Sequence, residues 1–482
     1  MILSLKKYWI YWISFAFLAL NIALIVNEVY FGFAIPIALL VIWLAIYSYD
    51  KLWYLIVFAT PLSVNVLLPG GVGFYFPTEP ILFGLMGIVV LRELTERNID
   101  IKTFRHPITR IILVYLLWIF ITALTSSMQM VSFKFLLAKF WFISVMYFLA
   151  IGIFKSRKNI LLFFKLYLAG LTIVVLYTVI RHAGYSFNEQ AAHWVMEPFF
   201  KDHTVYGALL AFYYPVIIGM FFLKGIKTEF KLLLIAVFAI FSIGLVLSYT
   251  RAAWVSLFAA MAVAVVMLLK INYRTVFSSL VFVVLLFFMY QDTLIYQLGK
   301  NSQDSSNNLT EHVESMSNIT TDASNLERLN RWSSAWRMFL ERPVFGWGPG
   351  TYQFKYAPFQ KASETTIITT RTGDQGNAHS EYLGPLAEQG LPGTIIFLVL
   401  ALGVTVFALK LYNKLPRGDV RVYVLMAYLG LVTYLVHGVL NNYLDTDKAS
   451  IPFWGFIAVL VAIDLYHTDN KLEVEGIKSI QN

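Results

Sequence analysis

Two arginines and one histidine stand out as residues able to do chemistry. Arg251 lies in Ser248-Tyr-Thr-Arg-Ala-Ala-Trp254, a very short turn between two apolar runs. An arginine that close to hydrocarbon is costly unless it is paired or solvated. Arg328 begins Arg328-Leu-Asn-Arg-Trp332, within a long polar segment. A guanidinium keeps its charge and donates two parallel hydrogen bonds, which suits a phosphate. The pair reads as an anion clamp, and a lipid-linked pyrophosphate is the obvious membrane-borne anion at that depth. His379, in Asn377-Ala-His-Ser-Glu381, lies where the polar segment gives way to the next apolar run. Imidazole titrates near neutrality and can take a proton from an attacking hydroxyl. Each residue also has a plainer reading. Arg251 could snorkel or pair with a carboxylate, Arg328 could face solvent from a helix, and His379 could cap or bridge at the interface.

Four more residues join the candidate substrate-binding set. Lys201 and Arg181 add positive charge on the same expected side, and Glu381 and Asp445 are carboxylates able to orient an arginine or the histidine. His182, His193, His203 and His437 also fall on or near that side, so histidine alone selects nothing. No metal is expected: the chain has no cysteine, His193 and His203 are ten apart, and no His-Glu-x-x-His run exists. Gly346-x-Gly-x-Gly350 lacks the Lys-Ser/Thr ending of a phosphate loop and reads as a tight turn. No cofactor is expected. Trp254, Trp332, Trp336 and Trp347 could stack on sugar or, as is commoner for tryptophan, anchor at the interface.

The elements that must position these residues are membrane helices. Of 482 residues, 59% are apolar and 13% charged, whereas a soluble domain carries about 25% charged. Fourteen apolar stretches lie between residues 9 and 466, each near the ~20 residues that cross ~30 Å of hydrocarbon. They include 9–26, 30–49, 52–68, 80–97 and 275–291. Some tight joins allow broken or re-entrant segments, so twelve to fourteen spans are expected. Strand-length alternation of the barrel kind is missing, and lipid cannot satisfy free backbone groups. The expected fold class is therefore all-α, a polytopic integral membrane protein. The run after Lys6 and Lys7 reads as an uncleaved first span.

Basic loops, among them Arg92–Arg110, Lys155–Lys158 and Lys410–Arg421, all fall on one side in this count, as the positive-inside bias requires. These anchors explain much of the net charge of +9, so no nucleic acid partner is expected. The candidate residues gather on the other side. The expected organisation is a helical bundle over 1–291, a large outer loop over 292–383, further spans over 384–466 and an inner tail over 467–482. Within the loop, Asn301–Asn325 reads as a polar linker. Leu326–Leu340 reads as an amphipathic interfacial helix, with Leu329, Trp332, Trp336 and Phe339 at helical spacing.

An ordered set of segments carries a family resemblance. It runs Ser248–Trp254, Arg328-Leu-x-x-Trp332, Arg342-Pro-x-Phe-Gly346-Trp-Gly-Pro-Gly350, Asn377-Ala-His-Ser-Glu-Tyr-Leu383 and Glu388-x-Gly390-x-x-Gly393. This resembles the O-antigen ligase / O-antigen polymerase family over roughly residues 200–450. In that family one arginine opens the span before the large loop region, a second lies early in the loop and a histidine lies near its end. Arg251, Arg328 and His379 match in order and become the implied catalytic residues. Ser380 departs from the pattern, since members often carry Asn there. The resemblance implies a glycosyltransferase of the bacterial inner membrane, independent of metal and sugar nucleotide, with its site facing the periplasm. The implied donor is a glycan on undecaprenyl pyrophosphate. The acceptor would be lipid A–core for a ligase, the favoured reading, or another lipid-linked glycan for a polymerase. Membrane lipid surrounds both. A polysaccharide or lipid transporter is the rival class; it predicts ionisable residues deep within spans, whereas here they gather at one edge. A non-catalytic partner in polysaccharide export is a third reading.

Overall fold

The computed structural model describes residues 2–26, 34–67, 73–96, 100–271, 323–361 and 376–468. These residues are almost wholly helical. The chain divides into two compact units, Met1–Ile56 and Val57–Asn482. The first holds α1 (Ile2–Val26), α2 (Ala34–Tyr47) and most of α3 (Tyr49–Ala59). Trp12, Phe15 and Leu18 of α1 are exposed, as expected of a helix whose solvent is lipid.

The second unit begins with a departure from expectation. The stretch 52–68 is not one span. Helix α3 stops after eleven residues, and a 3-10 turn containing Pro61 follows. The chain then pairs as an antiparallel hairpin, β1 (Val64–Leu67) with β2 (Gly73–Phe76), Asn65 opposite Tyr75. Proline cannot donate to a continuing helix, and β-branched and aromatic residues favour pleated backbone. A window of mean hydropathy cannot see that difference.

The long helices then follow: α4 (Thr78–Glu96), α5 (Pro107–Leu124), α6 (Gln129–Ile143), α7 (Arg157–Ala183), α8 (His203–Phe221), α9 (Thr228–Leu247), α10 (Arg251–Leu268), α11 (Ala323–Glu341), α12 (Leu383–Lys414), α13 (Asp419–His437) and α14 (Asp447–Tyr466). Helix α6 continues through a π-helical turn to Ile153. Among the described residues, nine helices are long and apolar enough to cross a membrane. The expected span at 275–291 and the polar linker up to residue 322 lie outside the described residues. The protein is an all-α, multi-pass membrane protein.

Helices α8 and α14 are the most enclosed of the nine. Their rings stack on one another and on α7: Phe212 on Phe456 at 4.7 Å, and Tyr213 on Tyr167 at 4.4 Å. In lipid no hydrophobic force drives helices together, so ring packing and close approach at small residues carry the association. Gly207 is such a point. A Cβ there would stand 2.6 Å from the Thr250 Cβ, so glycine lets the turn before Arg251 lie directly on α8.

The connections sort to two ends of the bundle. At one end Lys414 and His106 both approach Asp464 at 3.6 Å, and the Lys224 amide donates to Asp419 at 3.0 Å. At the other end the base of the hairpin is pinned to the start of α14. The buried Lys448 ammonium donates to the carbonyls of Thr60 and Ser63, both at 2.7 Å. Asp447 accepts from the Ser63 hydroxyl at 2.6 Å and from Thr78.

Helix α11 forms over the expected residues, with its polar stripe packed against the protein. Glu327, Asn330, Arg331, Ser334, Ala335 and Met338 are buried, whereas Leu329, Trp336 and Leu340 are exposed. Arg331 makes an i,i+4 ion pair with Glu327 at 2.6 Å and stacks on Tyr356 at 4.1 Å. The polar stripe packs on protein because its charges are internally paired, and the apolar stripe is left for an interface.

Two of the glycine-rich segments interlock. The Trp347 and Gly348 amides donate to the Ala387 and Glu388 carbonyls at 3.0 and 2.8 Å, and the Leu391 amide returns to Pro343 at 2.9 Å. Gly346 and Gly390 both take left-handed φ, +68° and +70°. A Cβ on Gly390 would meet the Val344 carbonyl oxygen at 2.2 Å. Gly390→Ala therefore combines backbone strain of about 1–3 kcal/mol with a clash against backbone. Its expected outcome is a lower thermal unfolding midpoint in detergent and less extractable protein, checked by a thermal melt of the purified variant.

Candidate functional site

His379 is fixed by its neighbours in sequence. Its own backbone is left-handed, φ +49°, a conformation costly for a residue with a Cβ. Asn377 accepts the His379 amide at 3.1 Å, and Ser380 accepts the amides of Tyr382 and Leu383 at 3.2 and 3.3 Å, capping the start of α12. Asparagine and serine both serve as such caps, so the serine at 380 keeps a function that asparagine could also fill. The indole of Trp332, one turn beyond Arg328 on α11, donates to the His379 carbonyl at 3.2 Å.

This docking brings the α11 cations against the imidazole. Burial, with Arg328 and then Arg331 close by, pushes the His379 pKa down to about 4. The ring is therefore neutral at pH 7 and able to accept a proton. Its side chain hydrogen-bonds Asn441, and Asn441 in turn reaches His437 Nε2 at 3.1 Å. Asn441 is buried and bridges the two rings. Nothing in its sequence context distinguishes it.

Arg251 is the first residue of α10, and the turn before it is tightly held. His203 Nδ1 contacts the Ser248 carbonyl at 2.8 Å, Thr250 donates to the His203 carbonyl at 2.8 Å, and Tyr249 is left-handed at φ +49°. Arg328 acts electrostatically on His203 and on His437, and His437 also contacts the Ala252 backbone. The first turn of α10 thus sits in the neighbourhood that holds Arg328 and His379.

A cavity of about 310 Å³ opens beside this cluster. Four residues of the histidine loop line it, Asn377, Ala378, Ser380 and Glu381, as do Lys201, Asp202 and Asp445. Asp445 pairs with the buried Lys139 at 3.0 Å, and Asp202 caps α8 by accepting the Thr204 and Val205 amides at 2.8 and 3.0 Å. Glu381 is largely committed to the fold. Its Oε1 accepts from the Tyr434 hydroxyl at 2.5 Å and from the Tyr443 and Leu444 amides at 2.7 and 2.9 Å. Burial and the nearby Asp445 raise its pKa. Arg181 is not in the lining. It stacks over Trp194 at 5.1 Å and donates to the carbonyls of Glu197 and Val195 at 2.5 and 3.4 Å, strapping the 194–197 turn to the end of α7. Asp202 and Asn441 were not singled out from sequence.

A multi-pass helical membrane protein with cations, a neutral imidazole and a polar cavity at one end of its bundle is the class that fold and geometry define. Residues 235–398 match the model of the O-antigen ligase family. That match spans Arg251, Arg328 and His379, and it supports an O-antigen ligase/polymerase family assignment and a membrane glycosyltransferase function of that type. No curated protein matches the chain.

Proposed function

We propose that the chain transfers a glycan from undecaprenyl pyrophosphate to an acceptor hydroxyl at the periplasmic face of the inner membrane, most simply by ligation to lipid A–core. The observation that carries this is the meeting of Arg328 with a neutral His379 beside the turn that bears Arg251. Arg251 and Arg328 hold the pyrophosphate, and His379 receives the acceptor proton. A bond forms between the acceptor oxygen and the anomeric carbon while the bond from that carbon to phosphate oxygen breaks. The electron pair leaves with the pyrophosphate, where positive charge is already placed, and the carbon inverts. Cationic groups aimed at developing charge each contribute a few kcal/mol of barrier. No metal is needed for any of these roles. A polymerase joining lipid-linked repeat units would use the same groups on a different acceptor. Lys201 and Asp445 supply further substrate contacts.

The direct test is transfer by purified protein from lipid-linked donor to lipid A–core in chelator, without nucleotide. Product is expected. No product with either acceptor class would remove the enzyme reading, and product only with a second lipid-linked repeat unit would make it a polymerase.

The pH dependence has a defined sign. Protonated His379 cannot accept a proton, so activity falls as pH drops. The limb of kcat/KM, which reports the free enzyme, is expected near the His379 value of about 4. A bound pyrophosphate offsets the Arg328 and Arg331 charges that help to hold this value down. The limb of kcat, which reports the loaded enzyme, should therefore lie at higher pH. Coincident limbs, or a rise in rate on acidification, would contradict the assignment of the base.

A further inference from the structure

We infer that the cavity beside the histidine loop is the binding site for the neutral, hydroxyl-rich sugar end of the acceptor, and that the β-hairpin supplies one of its walls. The proposal rests on the glycosyltransferase reading above and names what the cavity takes. Its volume of about 310 Å³ lies at the small end of ligand pockets, which run roughly 300–1,000 Å³.

The lining chemistry favours hydroxyls over phosphate. Neither Arg251 nor Arg328 is among the lining residues. The lysines that do line it are offset by carboxylates, Asp202, Glu388 and Asp445 besides Glu381. Two of those lysines are also committed to the protein: Lys139 to Asp445 and the Leu444 carbonyl, and Lys448 to the carbonyls of Thr60, Pro61 and Ser63. A diphosphate entering here would meet balanced charge and gain little. A sugar would meet amide and carboxylate acceptors for its hydroxyls and aromatic rings for its C–H faces. One acceptor is buried without a partner: the Asn442 side-chain oxygen has no hydrogen bond in the protein, and Asn442 lines the cavity. Leaving a buried acceptor unsatisfied is costly, and a ligand hydroxyl would satisfy it.

The hairpin register fits the same use. Asn65 and Tyr75 stand opposite one another, so their side chains share one face, and both line the cavity. The neighbouring pair Val66 and Phe74 belongs to the other face. The hairpin therefore turns its polar pair inward. The cavity adjoins the histidine loop. His379 is not itself in the lining, but its neighbours Asn377, Ala378, Ser380 and Glu381 are, and so is Asn442, next to Asn441. A sugar held there lies beside the loop that carries the base, in a lining that includes neither arginine.

The test uses full-length protein in the transfer assay. Asn442→Leu is expected to raise the acceptor KM about tenfold, the loss of roughly one hydrogen bond to a buried group, and Asn65→Ala to raise it by a smaller factor, since Asn65 is exposed; donor KM is unchanged in both. Asn65 is exposed, so its replacement leaves the fold intact. Unchanged acceptor KM in both variants, or a rise confined to donor KM, overturns the proposal. If wild-type protein transfers nothing, the enzyme reading fails and the cavity is judged by binding alone. Saturation-transfer NMR with neutral oligosaccharide cleaved from the cell's own surface glycolipid then decides. A signal lost in Asn442→Leu supports the site, and no signal with wild-type protein removes it.

Discussion

His379→Ala is expected to abolish glycan transfer while leaving the protein inserted and extractable. A positioned general base contributes about 10²–10⁴-fold, and the half-buried ring that would be lost is hydrogen-bonded by Asn441. Alanine alone would confound two effects, because residue 379 is left-handed at φ +49°. His379→Asn separates them. Asparagine tolerates that backbone region better than most residues and can still hydrogen-bond to Asn441, but it cannot accept a proton at neutral pH. Both variants should lose transfer, with Asn the more stable of the two. Wild-type rates in His379→Asn, measured with purified protein and lipid-linked donor, would reduce His379 to a strut. Asn441→Ala should act more gently, lowering kcat through a misplaced ring.

Of the candidate residues, Arg251 was the one that broke a strong rule, a cation in a very short turn between spans. Arg328 and His379 stood out through the ordered family pattern, since a basic residue in a long outer loop is no anomaly and histidine alone selected nothing. The long helices were legible from the 59% apolar composition. What composition could not show was which polar residues serve the fold. Glu327 and Arg331 look like a solvated face, yet they are buried because they pair with each other. Glu381 looks like an orienting carboxylate, yet its oxygen holds the 443–444 backbone. The segments 342–350 and 388–393 are read from sequence as parts of one signature. In three dimensions they are two halves of a backbone joint, and their glycines are there for close approach. Asn441 lies sixty-two positions beyond His379, in a loop without periodicity, and only tertiary contact exposes it. The hairpin was lost for a simpler reason: a four-residue strand of alternating apolar residues averages to the hydropathy of a span.

Arg328 carries the second large effect, and its chemistry gives two independent readouts. Removing one donor aimed at developing negative charge typically costs about 10²–10³ in kcat, so Arg328→Ala is expected to fall by that order. Arg328→Lys should recover little. An ammonium is a point charge and cannot make the parallel pair of bonds that a guanidinium gives to phosphate. Loss of packing alone would predict the reverse, since lysine keeps most of the apolar stem. The second readout is the acid limb. Arg328 is the nearest electrostatic cause, after burial, of the low His379 pKa. Deleting it lets that value rise toward the ordinary range, so the kcat/KM limb of Arg328→Ala should move to higher pH, and that of Arg328→Lys should move less. Arg251→Ala should match the loss in kcat, without the same displacement of the limb. A variant set in which Arg328→Lys turns over like wild type and the limb of Arg328→Ala is unmoved would mean that the guanidinium neither grips the leaving diphosphate nor tunes the base, and the arginine would then belong to the packing of α11 alone.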